Sequence, residues 1–176
     1  MTHKFILDCV MYWAKEYHFD GFRFDIMGLL DTDLMNDIRR HLDDEFGKGE
    51  KLIYGEAWDM QTHAYGDAVM SDKSHFTKLD PSIGYFNDII RDSVAGCAFI
   101  DDDAGFVDGS KDEEALKKGI ASCLGGDGII SNPSQSITFV SCHDNRTLWD
   151  KLSKINGLHP VGDSEDRRLR QNRLAA

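Results

Sequence analysis

Short apolar, strand-like runs alternate with helical segments along this chain, and that alternation leaves few architectures open. Residues 20–25, 51–55, 83–87 and 136–142 read as strands. Residues 4–18 place Ile6, Cys9, Val10 and Trp13 on one face at a period of about 3.6, which predicts a helix. Thr32 reads as the N-cap of a second helix, with Leu34, Ile38 and Leu42 spaced by four and Gly47-Lys48-Gly49 as its stop. Residues 57–82 show no periodicity and read as a long irregular loop, a feature that in compact domains is commonly functional. Ser110-x-x-Glu113 matches a capping box ahead of Leu116, Ile120 and Leu124, with Gly125-Gly126 as the end of that helix. Ser164 reads as the cap of a last, Arg-rich helix. This order predicts an α/β fold with a mostly parallel sheet and helical crossovers. A whole (β/α)8 TIM barrel takes about 250 residues. A chain of 176 that starts and ends in helix predicts the middle of one.

Composition removes several classes of function. With 41% apolar and 29% charged residues the chain is globular, not disordered. A net charge of -11 argues against a nucleic-acid surface, which needs a basic footprint. No apolar run approaches the length of a membrane-spanning helix, so no membrane partner is expected. Asp8, Lys15, Glu16 and Asp20 rule out reading the first residues as a signal peptide. Cys9, Cys97, Cys123 and Cys142 show no CxxC pairing and read as reduced, mostly buried thiols. That leans to a cytoplasmic setting, or to a secreted one if a leader lies upstream.

Three of the strand-like runs end in an acid. They are Gly21-Phe22-Arg23-Phe24-Asp25, Ile53-Tyr54-Gly55-Glu56 and Phe139-Val140-Ser141-Cys142-His143-Asp144. Acids at the carboxyl ends of parallel strands converge on one face of a sheet or barrel, where two of them suffice to cut a glycosidic bond. Arg23 shares a face with Asp25, so its guanidinium keeps that carboxylate ionised and oriented, as a nucleophile requires. Tyr54 and Trp58 flank Glu56 if the chain stays extended, and their rings would suit a proton donor and a stacked sugar. His143-Asp144-Asn145 gathers hydrogen-bonding groups fit for sugar hydroxyls. Each feature alone has a plainer reading: a structural ion pair, a solvated glutamate at a loop start, a turn with Asx capping. Their shared place at predicted strand ends favours the chemical reading. Asp101-Asp102-Asp103 lacks the spacing of an EF-hand and reads as a solvated acidic turn, leaving structural calcium without a motif. His63 and His75 fall in the long loop with no ligand pattern.

These motifs resemble those of the α-amylase-type glycoside hydrolases. Asp20-Gly-Phe-Arg-Phe-Asp-Ile-Met-Gly-Leu29 and Tyr54-Gly-Glu-Ala-Trp58 look like the nucleophile and acid/base strands of type I pullulanases, the starch-debranching members. Phe86-Asn-Asp-Ile-Ile-Arg-Asp92 and His143-Asp-Asn-Arg-Thr-Leu-Trp-Asp-Lys-Leu152 are similar to stretches of the same group. The resemblance covers most of the chain. It implies a partial glycoside hydrolase barrel domain over 1–176, roughly from the helix before strand 4 to the helix after strand 7. Asp25 would be the nucleophile, Glu56 the acid/base and Asp144 the transition-state stabiliser, with Arg23, His143, Trp58, Tyr54 and Asn145 binding substrate. The expected activity is retaining hydrolysis of α-1,6 branches in an α-glucan, without a cofactor. Cleavage of α-1,4 bonds, or a barrel that only binds carbohydrate, are the alternatives. A metal-dependent lyase or isomerase is disfavoured because Arg23 would repel a cation beside Asp25.

Overall fold

The computed structural model describes residues 1–61, 66–109, 113–121 and 132–157, together with 168, 169 and 172. They belong to two compact units, Met1–Phe86 with Ile129–Ile137, and Asn87–Gly128 with Thr138–Ala176.

The first unit is built on a four-stranded sheet in the order β1-β2-β3-β4, formed by Gly21–Phe24, Leu52–Gly55, Ile83–Asn87 and Ser136–Thr138. β1 runs parallel to β2, and β2 to β3, with Phe22 opposite Ile53 and Ile53 opposite Ile83. Parallel neighbours need a crossover, and helix α2 (Thr32–Phe46) supplies the one between β1 and β2. The spacing of Leu34, Ile38 and Leu42 does what the sequence predicts: with Met35 they form a stripe that is at most 2% exposed. Ile53 and Ile83 are fully buried, as expected of a sheet covered by helices.

Helix α1 (Thr2–Glu16) begins and ends two residues earlier than the predicted 4–18, with His18 at a left-handed φ of 56, and its predicted face is only partly inside. Val10 is buried, Ile6 and Cys9 are half-buried, and Trp13 is 41% exposed, stacked on Phe19 with ring centroids 5.3 Å apart. The cap of α2 is Asp31, not Thr32. The Asp31 carboxylate accepts from the Leu34 amide at 2.8 Å, while the Thr32 amide is taken by the Val69 carbonyl at 2.8 Å. Gly47 ends α2 at φ 104, a conformation open to glycine and costly for other residues. The loop 57–82 contains a 3-10 stretch, Lys73–Lys78, opened by Asp72; its residues 62–65, including His63, lie outside the described part. His75 Nδ1 sits 3.1 Å from the Asp72 carboxylate.

The second unit is helical. Its core joins Ile90, Val94 and Ala95 of α3 (Asp88–Ala95), Val107, and Leu148 and Leu152 of α5 (Leu148–Ile155), with Leu116 of α4 (Glu113–Ala121) packed against it. Neither α3 nor α5 is foreseen by the sequence reading. Each has a side-chain cap: Asn87 accepts from the Ile90 amide at 3.2 Å, and Thr147 from the Asp150 amide at 3.2 Å. The strand predicted over 136–142 is shorter, ending at Thr138, so His143 and Asp144 stand on a loop beyond it. Ile120 of α4 is 62% exposed; Ser110, Leu124, Gly125, Gly126 and Ser164 lie outside the described residues. Cys9, Cys97 and Cys142 are free thiols and half-buried, less enclosed than predicted, and Cys123 is not among the described residues.

The acidic turn at 101–103 is more than solvated. Arg146 donates to Asp101 from Nε at 3.0 Å and from Nη2 at 3.1 Å, and the Cys97 amide donates to Asp103 at 2.6 Å. Lys151, buried, donates to the carbonyl oxygens of Cys97 (2.9 Å) and Ile100. The hydrogen bond from Arg146 holds the Asp101 carboxyl below the ordinary carboxylate range. A carboxyl depressed on folding contributes stability above its unfolded value and loses it as pH falls through its folded one. A double-mutant cycle of Asp101→Asn and Arg146→Gln should therefore show coupling at pH 7 that fades below about pH 4. Both side chains are about half exposed, so the coupling should be small and weakened by salt. Coupling that persisted at pH 2 would exclude the ion pair as its source.

Candidate active site

The register of two strands creates the site. Phe24 pairs with Gly55, so Asp25 and Glu56 each stand one residue past the last paired position of neighbouring parallel strands. Arg23, two residues before Asp25, bridges them. Its Nη1 donates to Asp25 Oδ1 at 2.5 Å and its Nη2 to Glu56 Oε1 at 2.6 Å. The carboxylates differ sharply in environment: the Asp25 side chain is 58% exposed and that of Glu56 only 3%. A charge-assisted fork of this kind orients both carboxylates and sets their spacing by the width of one guanidinium.

Where the sequence suggests aromatic rings about Glu56, both carboxylate oxygens are taken by polar donors. Oε1 accepts from Arg23, and Oε2 accepts from the backbone amide of Ile26 at 2.8 Å. The Tyr54 ring instead meets Phe86 edge-on, with centroids 5.9 Å apart. Trp58 lies beneath the Lys73 ammonium, 4.4 Å from its ring centroid. Phe86 also backs the Arg23 guanidinium at 5.6 Å, a cation–π contact that the sequence reading does not assign.

The turn after β1 is tight. The Gly28 amide donates to the Glu56 carbonyl at 3.0 Å, and a Cβ on Gly28 would lie 1.9 Å from the Trp58 carbonyl oxygen. Gly28→Ala should therefore destabilise the first unit by about 1–3 kcal/mol, seen as a lower midpoint in thermal or urea unfolding. An unchanged midpoint would show that the turn can open at no cost.

Asp144, His143 and Asn145 belong to the second unit. All three are exposed; His143 Nε2 lies 3.4 Å from Asp144 Oδ1, and Asn145 takes a left-handed φ of 60. The Asp101–Arg146 pair fixes the residue immediately after them. The structure thus brings Asp25, Arg23 and Glu56 together in the first unit, and Asp144 with its neighbours in the second.

No protein-family model matches the chain. It is 37% identical to a pullulanase of Bacillus subtilis over 184 aligned positions, an alignment that takes in 100% of this chain and 24% of that protein. It is 27% identical to the chloroplastic isoamylase 1 of Arabidopsis thaliana, covering 89% of this chain and 21% of the isoamylase. Among solved structures, the Paenibacillus barengoltzii pullulanase in complex with maltohexaose and α-cyclodextrin superposes with a TM-score of 0.86 at 40% identity, covering 98% of this chain and 26% of that one. The Bacillus subtilis type I pullulanase in complex with maltose gives 0.85 at 37% identity, covering 98% and 24%. The chain spans about a quarter of the length of these relatives. Over its full length, the chain is thus a type I pullulanase-like region.

Proposed function

We propose that this region carries the catalytic carboxylates of a retaining glycosidase acting on α-1,6 branch points of an α-glucan. The observation behind this reading is the single Arg23 guanidinium joining an open carboxylate, Asp25, to a buried one, Glu56. Retaining glycosidases use two carboxyl groups about 5–5.5 Å apart, a spacing that one guanidinium can bridge. The sheet of parallel strands then forms part of a (β/α)8 barrel, with both acids at the carboxyl ends of its strands, where such enzymes carry their chemistry.

Glu56 protonates the glycosidic oxygen as the bond from that oxygen to the anomeric carbon breaks. Asp25 attacks the same carbon and forms a glycosyl ester. Glu56, now a carboxylate, takes a proton from water; the water oxygen bonds to the anomeric carbon and Asp25 leaves. Two inversions give net retention. The family resemblance gives Asp144 the role of transition-state stabiliser and His143 that of a substrate ligand. Trp58, Tyr54 and Asn145 contact neighbouring parts of the glucan. The reaction draws on no cofactor. The maltooligosaccharides bound by the related pullulanases support an α-glucan as substrate.

The test is reducing-sugar release from pullulan and from linear amylose. It uses this chain beside the chain joined to the flanking sequences of the Bacillus subtilis pullulanase. Release from pullulan and not from amylose is the expected result. Release from amylose alone would replace the debranching reading with α-1,4 hydrolysis. Release from neither would remove the enzymatic reading.

A further inference from the structure

The turn after β1 grips Glu56 at each of its polar groups. The Glu56 amide donates to the Phe24 carbonyl at 3.1 Å, and its carbonyl accepts from the Gly28 amide at 3.0 Å. Its carboxylate accepts from Arg23 on one oxygen and from the Ile26 amide on the other, at 2.6 and 2.8 Å. One of these contacts depends on an unfavourable backbone. Ile26 sits at φ 45 and ψ 51, in the left-handed region. For a β-branched residue that conformation is a true outlier, costing about 1–2 kcal/mol. The other non-glycine residues with positive φ among those described are His18, Gln61 and Asn145, none of them β-branched. Strain of this sort persists where the surroundings over-determine it. Here the 3-10 turn Met27–Leu29 follows at once, closed by the Leu29 amide on the Ile26 carbonyl at 2.9 Å, and Gly28 is wedged against Trp58. What the strained conformation achieves is an N–H aimed at a buried carboxylate.

We propose that Ile26 is a positioning residue whose backbone amide fixes the rotation of the Glu56 carboxyl group. This rests on Glu56 being the acid/base of the proposed reaction. With Arg23 on Oε1 and the amide on Oε2, the plane of the carboxyl group is set, and each oxygen keeps a lone pair. The proton that Glu56 delivers to the glycosidic oxygen therefore leaves within that fixed plane, from one of the two remaining lone-pair positions. Catalytic groups need such holding to within about 10–20°.

Two measurements test this. The first is hydrogen exchange of the Ile26 amide in this chain, which should quicken at least about 10-fold in Glu56→Ala while amides of β2 and β3 keep their rates. An unchanged Ile26 rate would overturn the proposal. The second replaces the Ile26 amide by an ester, using the α-hydroxy analogue of isoleucine, which removes the N–H and keeps the side chain. In the chain joined to the flanking sequences of the Bacillus subtilis pullulanase, kcat on pullulan should fall about 10-fold or more at nearly constant KM. Fluoride release in the first turnover of a glycosyl fluoride, whose leaving group needs little protonation, should hold. Ile26→Gly keeps the N–H and takes the left-handed conformation freely, so it should keep the native ratio of the two rates. Equal losses on pullulan and fluoride in the ester variant would mark Ile26 as merely structural and overturn its role. If the unmodified protein turned over neither substrate, the debranching reading and the catalytic consequence would fall together. The exchange rates would still decide whether the amide holds Glu56.

Discussion

Asp25→Asn is expected to lower turnover of pullulan by about 10⁴-fold, about 5.5 kcal/mol of transition-state stabilisation, with little change in KM or in unfolding midpoint. The side chain is 58% exposed, so no core depends on it. The amide oxygen of Asn can still accept from Arg23, which keeps the guanidinium in place. What is lost is the electron pair that bonds to the anomeric carbon. A companion experiment separates the nucleophile from the acid/base. In Asp25→Ala, azide should restore turnover and yield a glycosyl azide of inverted configuration, because azide replaces the missing nucleophile in a single displacement. In Glu56→Ala, azide should intercept the glycosyl ester on Asp25 and yield the retained configuration. Exchange of these two outcomes would reverse the assigned roles. Retained activity in Asp25→Asn would remove Asp25 from the mechanism.

Much of this arrangement is legible in the order of the residues alone. Arg23 and Asp25 share a face by the two-residue period of a strand, and Leu34, Ile38 and Leu42 share one by the period of a helix. Both expectations depend only on backbone geometry. The convergence of Asp25 and Glu56 follows once β1 and β2 pair in parallel with Phe24 opposite Gly55. What escapes the sequence has physical reasons. α3 and α5 span 8 residues each, too short for periodicity to stand out, although Thr147-x-x-Asp150 is a capping-box pattern that marks the start of α5. The Asp31 cap is hidden beside Thr32 because either residue suits an N-cap. The choice is made by the Val69 carbonyl, which draws the Thr32 amide from far along the chain. Nothing in an isoleucine announces a left-handed backbone, so the contact from Ile26 to Glu56 emerges only in three dimensions. Phe86 belongs to a recognisable motif, but its place behind Arg23 depends on which strand lies next to β2.

Arg23→Met should be the most destabilising single change at the site. Glu56 is nearly fully buried, and removing the guanidinium leaves its carboxylate held by the Ile26 amide without the charge that balances it. Breaking a buried pair from one side costs about 3 kcal/mol or more. For a chain of this size, each kcal/mol lowers the midpoint by about 2–4 °C, so a fall of roughly 6–12 °C is expected. Arg23→Lys should fall between, because an ammonium is a point charge and cannot span both carboxylates as a planar fork does. The decisive comparison is the double variant. Glu56→Gln alone removes the buried charge but leaves Arg23, which is 26% exposed and still pairs with Asp25. Arg23→Met with Glu56→Gln should therefore recover most of what Arg23→Met loses, a non-additivity of about 2 kcal/mol. If the two changes simply added, the bridge would not be the source of the stability. The same guanidinium sets the distance between nucleophile and acid, so Arg23→Lys should also lower kcat on pullulan by more than its stability loss explains. That drop should be measurable at a temperature where the variant is fully folded. A kcat equal to that of the unmodified protein under those conditions would limit Arg23 to holding the fold.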